Sequence, residues 1–211
     1  MANLYALAHY DDELFCLGQI LEDLTNGKTV IIYHMCGESH DHIDRQRKDI
    51  FNDLLAKLVL GRSKCRVIYT DSKNAPLFQN KIYERQSIIN KLQEINNEYG
   101  CSQVITVPSD MHPDHAYLNE LVKIVFRPDR NHQCNRLLEM HIPGSAIRTD
   151  FNYKLAVHKP SIKRMEEYFD LYKDHLKGLN TWEKYKIWLQ YNGSTFGIDY
   201  AEAYNLVYMI S

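Results

Sequence analysis

The chain lacks the cysteine pairing that a zinc ribbon or a thioredoxin-like redox site needs. Its five cysteines, Cys16, Cys36, Cys65, Cys101 and Cys134, are odd in number and widely scattered. No C-x-x-C occurs, so both motifs are excluded, and reduced thiols in a cytoplasmic protein are the expectation. No apolar run approaches the roughly 18 residues that a membrane-spanning helix requires. The amino terminus has no basic segment followed by an apolar stretch, so no secretory signal is expected. Charge of one sign is not in excess: the formal net charge of -2 gives no reason to expect nucleic acid, a membrane surface or a polyanion as partner. Internal repeats, low-complexity segments and linkers are also missing, so nothing divides the chain.

What is present fits a globular protein. Hydrophobic residues make up 45% and charged residues 25% of 211 positions, which is ordinary composition and enough length for one domain with a substantial core. The expectation is a single domain over 1–211, with a core at 1–125 and an extension at 126–211 completing the pocket. For most of the 15 tyrosines, half-buried packing with the hydroxyl at the surface is the expectation.

The first 125 residues alternate short apolar runs with amphipathic ones. Asn3 to Ala8 reads as a buried strand, and Leu14, Leu17, Ile20, Leu21 and Leu24 recur at helical spacing before the stop at Asn26-Gly27. Thr29 to His34 is a β-branched strand, and Ile43 to Leu60 a helix carried by Ile50, Leu54, Leu55 and Leu58. Arg66 to Tyr69 is a third strand, Ile82 to Asn97 a helix, and Gln103 to Val107 a fourth strand. Beyond these, Leu137 to Ile142 and Tyr153 to Val157 are strand-like, Ser161 to Leu176 is helical, and a further helix fits the Trp-rich tail. Strands separated by helices imply βαβ units: an α/β, Rossmann-like, mostly parallel sheet with helices on both faces and a smaller C-terminal β/α extension. Such sheets bind ligands beyond the carboxyl ends of their strands.

Two polar clusters fall at that edge. Ala8-His9-Tyr10-Asp11-Asp12-Glu13 follows the first strand, and His112-Pro113-Asp114-His115 follows the fourth. A hydrolytic zinc takes three ligands from His and Asp/Glu and leaves a position for water. His9 and Asp12 on one turn, with His115 from the other loop, supply such a set. A bound metal lowers the pKa of its water and polarises a carbonyl. Asp11 is then free to act as general base, His112 to donate to the oxyanion, and Asp114 to orient an imidazole. Either loop alone is explained as well by helix capping. The two at one edge, each with more titratable groups than a cap needs, favour a site.

These residues resemble the PIG-L/LmbE-like N-acetylglucosamine deacetylases. The family's A-H-P-D-D-E stands here at Ala8 to Glu13 and its H-P-D-H at His112 to His115. Gly37-Glu38, His141-Ile142-Pro143-Gly144-Ser145 and Tyr200-Ala201-Glu202-Ala203-Tyr204 resemble further family segments and extend the likeness over nearly the whole chain. The resemblance implies a zinc-dependent hydrolase that removes an N-acetyl group from an amino sugar or glycoconjugate. It makes His9, Asp12 and His115 metal ligands, Asp11 the base, His112 its electrostatic partner oriented by Asp114, and Arg47 a substrate-binding residue. Other divalent metals suit the same ligands.

The chain departs from the family pattern in places. Tyr10 replaces the motif proline, Leu17-Gly18 keeps only the second of two glycines, and the Arg47-Lys48-Asp49-Ile50 segment lacks the usual glutamate, so Arg45 is an alternative to Arg47. His40 and His42 read as solvent-exposed, His34 as packing, His132 as surface loop, and Trp182 and Trp188 as core. Two alternatives stand beside the sugar deacetylase: an amidohydrolase of a small non-sugar amide, and a non-catalytic carbohydrate-binding relic.

Overall fold

The computed structural model describes residues 2–35, 42–59, 66–71, 81–128, 134–143, 151–176 and 181–210. Its centre is a seven-stranded sheet. Strands β1 (Ala2–Leu7), β2 (Thr29–His34), β3 (Arg66–Asp71), β4 (Cys101–Thr106), β5 (Arg136–Met140), β6 (Tyr153–Ala156) and β7 (Ala201–Met209) lie in the order β3-β2-β1-β4-β5-β7-β6. The first five are mutually parallel, and β7 runs antiparallel between β5 and β6. This is the mostly parallel α/β sheet expected from the alternation of apolar runs. All six residues of β1 are buried, as a central parallel strand with both faces covered requires.

Helices α1 (Leu17–Thr25), α2 (His42–Val59), α3 (Lys81–Tyr99), α4 (Pro113–Val125), α5 (Lys159–Leu171) and α6 (Trp182–Ser194) complete the fold. The helix expected from Leu14 begins instead as a 3-10 turn, Asp12–Cys16, and becomes α1 only at Leu17. Its start is fixed from far away, because the Glu202 carboxylate on β7 accepts from Gly18 N–H (2.7 Å) and Gln19 N–H (3.0 Å). A carboxylate at that position satisfies amides that have no partner within the helix and meets the positive end of its dipole. The helix ends where Gly27 takes φ 71°, the left-handed conformation that suits glycine past a helix end.

Helix α4 has no counterpart in the sequence reading, although its signals are present. Pro113 occupies the first turn, the His112 side chain caps it, and Leu118, Leu121, Val122 and Val125 are its buried face. The tyrosines also depart from expectation. Tyr5, Tyr10, Tyr33, Tyr168, Tyr172, Tyr185 and Tyr204 are buried. The hydroxyls of Tyr5, Tyr172 and Tyr204 each donate to a buried carboxylate, on Asp23, Glu13 and Glu202 respectively. Burying that many aromatics is favourable only because the hydroxyls keep partners. Among the described residues no helix is long and apolar enough to cross a membrane.

The register sets the site. Ala6 pairs with Tyr33 on one side and Thr106 on the other, so the loops leaving β1 and β4 emerge side by side. The connections from β1 and β4 diverge there, the point at which open α/β sheets bind ligands.

Candidate metal centre

The loop after β1 turns sharply at Asp11, whose φ of 119° and ψ of -19° make it the non-glycine residue with positive φ among the described residues. Such a conformation costs of order 1–3 kcal/mol and is held only by its surroundings. Here the Asp11 N–H donates to Glu13 Oε2 at 3.0 Å. The turn sends the two neighbouring aspartates apart. Asp11 Oδ2 meets the Arg47 guanidinium at 3.2 Å, while Asp12 points into the histidines. Asp12 Oδ2 accepts from the N–H groups of Ala8 (3.0 Å) and His9 (2.9 Å).

His9, His112 and His115 come together, each offering a ring nitrogen within 4.8 Å of the others. Their hydrogen bonds fix which ring nitrogens face Asp12. His115 Nδ1 lies 3.0 Å from Asp110 Oδ2, which places a proton on Nδ1 and leaves the Nε2 lone pair 3.4 Å from Asp12 Oδ1. His9 Nε2 lies 3.3 Å from Asp114 Oδ2, so its Nδ1 lone pair faces Asp12, 3.7 Å from Oδ2. Two imidazole lone pairs and a carboxylate facing one another repel unless a cation or a proton lies between them. Carboxylates that hold the far nitrogens of metal-binding histidines are a recurrent support.

His112 differs. Its Nδ1 accepts from the Asp114 N–H at 3.3 Å as the cap of α4, so the ring proton sits on Nε2. In that tautomer Nε2 is a hydrogen-bond donor. The residue is nearly half exposed, on the rim of the cluster, and burial together with His9 and His115 holds it below the usual histidine pKa. The hydrogen bonds therefore set His112 apart from His9 and His115, whose ring nitrogens face Asp12.

Electrostatics follow from this crowding. Burial pushes Asp11 up to about 7, helped by Asp12 and opposed by Arg47. Burial also raises Asp12, but His115 and His9 outweigh it and hold that carboxyl below the carboxylate range. For His115 burial works downward, yet Asp12 and Asp110 prevail and lift it to about 9.

Of the sequence-derived residues, the structure gathers His9, Asp11, Asp12, His112, Asp114, His115 and Arg47 around one point. The Asp114 carboxylate lies nearer His9 than His112, whose Nδ1 is 3.9 Å away, so it orients the His9 ring more directly than that of His112. Tyr10, which replaces the family's proline, is buried against His34 and Phe51, with ring centroids 4.6 and 5.6 Å away, and turns its back on the cluster. His34 packs as expected. His40, His132, Gly37-Glu38 and Gly144-Ser145, like the side chains of His42 and Arg45, lie outside the described residues. Trp182 is core, whereas Trp188 is half-buried and stacked on His141 at 4.3 Å. Sequence reasoning missed Asp110 and Tyr172. Asp110 was visible as a carboxylate two residues before the H-P-D-H segment. Tyr172 gave no local signal, being 159 residues from its partner Glu13.

No protein-family model matches the chain, and no curated protein matches it. Solved structures do. A deacetylase of the teicoplanin biosynthesis pathway, in complex with teicoplanin, superposes with a TM-score of 0.72 at 10% identity, covering all of both chains. The N,N'-diacetylchitobiose deacetylase of Pyrococcus horikoshii gives 0.66 at 16% identity, covering 98% of this chain and 83% of the other. The 4-carboxy-2-hydroxymuconate hydratase GalB of Pseudomonas putida KT2440 gives 0.70 at 12%, covering 100% and 97%. The chain has the fold of these enzymes over its full length. Because a hydratase shares that fold, the activity has to be argued from the site.

Proposed function

We propose that the chain is a PIG-L/LmbE-like, zinc-dependent N-deacetylase that hydrolyses the acetamide of an amino sugar or glycoconjugate to acetate and a free amine. The observation that carries this reading is the arrangement around Asp12. Two imidazoles, each held by its own carboxylate, turn ring nitrogens towards the Asp12 carboxylate, His9 towards Oδ2 and His115 towards Oδ1. That donor set of two nitrogens and an oxygen suits zinc in a hydrolytic site and leaves room for further ligands. His9, Asp12 and His115 would hold the ion, and the chemistry it supplies when bound is Lewis-acid activation of water and of the amide carbonyl.

The chain's own groups do the rest. Asp11 stands beside the ligands without being needed as one, and its raised pKa lets it both accept and return a proton near neutral pH. It takes a proton from the attacking water and delivers it to the amide nitrogen as the C–N bond breaks. His112 Nε2–H, directed by its cap role, donates to the carbonyl oxygen as negative charge develops there. Arg47, 3.2 Å from Asp11, steadies the base as a carboxylate before substrate arrives and lies where a sugar hydroxyl can replace it. The structural likeness to a chitobiose deacetylase and a teicoplanin-pathway deacetylase supports an N-acetylated sugar as substrate. Free buried thiols at Cys16, Cys101 and Cys134 support a cytoplasmic location.

The test is an acetate-release screen on zinc-loaded protein with N-acetylglucosamine, its glycosides and N-acetylated disaccharides. Turnover is expected on at least one of them. Acetate released only from simple N-acyl amines would move the substrate to non-sugar amides, and sugar binding with no acetate released from any compound would sink the enzyme reading.

A further inference from the structure

The last residue of the first motif, Glu13, has no part in the chemistry above, yet it is fully buried beside the base. Both of its carboxylate oxygens are engaged. Oε2 accepts from the Asp11 N–H at 3.0 Å and lies 3.3 Å from His34 Nε2. Oε1 accepts from the Tyr172 hydroxyl at 2.6 Å. Asp11 is the residue whose backbone is strained, with φ 119°, and its N–H belongs to the 10–11 peptide plane whose orientation about that torsion the bond fixes. We propose that Glu13 is a positioning residue: it holds the backbone of Asp11 in the strained turn that separates base from ligand, and Tyr172 and His34 hold Glu13.

The argument is geometric. An aspartate released from that conformation relaxes to negative φ, and the peptide between residues 10 and 11 rotates with it. Asp11 and Asp12 would then no longer diverge, one to Arg47 and the other to the histidines. Glu13 prevents this with an anchored acceptor at hydrogen-bond distance from the one N–H that must stay put. His34 comes from the end of β2, and Tyr172 is the residue that ends α5. The Glu13 carboxylate is therefore fixed from two elements besides its own. The tether reaches from the extension into the catalytic loop, so the C-terminal half sets the geometry of a motif it does not contain.

A double-mutant comparison tests the tether by thermal unfolding, a readout independent of activity. Glu13→Ala is compared with wild type, and Asp11→Gly/Glu13→Ala with Asp11→Gly. Glycine adopts positive φ without penalty, so in its background no strain remains to be held. The drop in Tm caused by Glu13→Ala is expected to be larger there by roughly 3 °C or more, because in wild type relaxation of the strained turn returns part of the lost bond, on the scale of one strained residue in a domain of this size. Equal drops in the two backgrounds would overturn the proposal and leave Glu13 as a buried polar group only. Should Glu13→Ala fail to fold, Tyr172→Phe replaces it in the same comparison, with the same two outcomes.

A second arm rests on the deacetylase reading. Glu13→Ala is expected to lower kcat roughly tenfold or more with zinc content retained and KM little changed, as displacement of a catalytic group does. Glu13→Gln, whose amide oxygen still accepts from Asp11 N–H, is expected to recover most of that loss. A Gln variant as poor as the Ala variant would count against the tether. Wild-type protein without turnover would instead sink the deacetylase reading and leave the thermal comparison standing.

Discussion

Asp110 Oδ2 lies 3.0 Å from Nδ1 of His115, and this contact decides which nitrogen of the ring faces Asp12. The other oxygen of Asp110 accepts from His112 N–H at 2.8 Å, so one carboxylate ties the His115 ring to the turn that carries His112. Asp110→Ala frees the His115 ring and is expected to weaken zinc binding roughly 10- to 100-fold. Competition against a chelator of known affinity measures it, and an unchanged affinity would show that Asp110 is only a cap.

The proposed roles of Asp11 as base and His115 as ligand separate by metal content. Asp11→Asn keeps the side-chain shape and a residue type that tolerates positive φ. It should bind zinc normally and lose turnover by roughly 100-fold or more, the usual contribution of a general base. His115→Ala should lose both zinc and activity. Elemental analysis beside acetate release distinguishes the two, and wild-type rates in Asp11→Asn would remove it from its role.

How much of this was legible in the sequence follows from range. The parallel core and the two loops could be read because apolar runs and H-x-x-D or H-P-D-H spacings are local. Strand β2 was placed at its observed bounds, since Thr29–His34 is a continuous β-branched run. Helix α4 is not expected from the sequence because its first turn is made of the H-P-D-H residues, which read as a loop. The start of α1 could not be read, because Leu14 sits at helical spacing while the carboxylate that caps the helix is 184 residues away. Tyr172 and Glu13 are joined only by the packing of α5 against the catalytic loop.

Acid sensitivity is expected from His141, which follows β5 and stacks on Trp188. Burial lowers its pKa from 6.5 to about 4. Its folded value lies below its unfolded one, so the neutral ring contributes stability in full above about pH 6.5. That contribution is lost as pH falls towards 4, reaching about 3 kcal/mol at about 1.4 kcal/mol per unit. Urea unfolding of His141→Phe between pH 7 and 4 should show a flatter pH dependence than wild type; parallel curves would rule out His141 as the source.

Gly18 leaves no room for a side chain. A Cβ there would sit 2.7 Å from Val157 Cγ2 and 2.8 Å from Glu202 Oε1. Gly18→Ala must displace the carboxylate that starts α1, and a loss of about 1–3 kcal/mol is expected. Chemical denaturation reads it directly, and a stability equal to wild type would mean that β7 can move away freely.

The bond between Glu202 and Gly18 also has a consequence for how the protein is made. Its two ends are separated by 184 residues, and at 5–20 residues per second a ribosome needs roughly 10–40 s to make that stretch. Throughout that interval the first motif has been made without the carboxylate that starts its helix, and for most of it also without the tyrosine that anchors Glu13. The nascent chain thus carries histidines and aspartates without the framework that fixes their direction. The site becomes competent only after β7 has emerged and been inserted between β5 and β6.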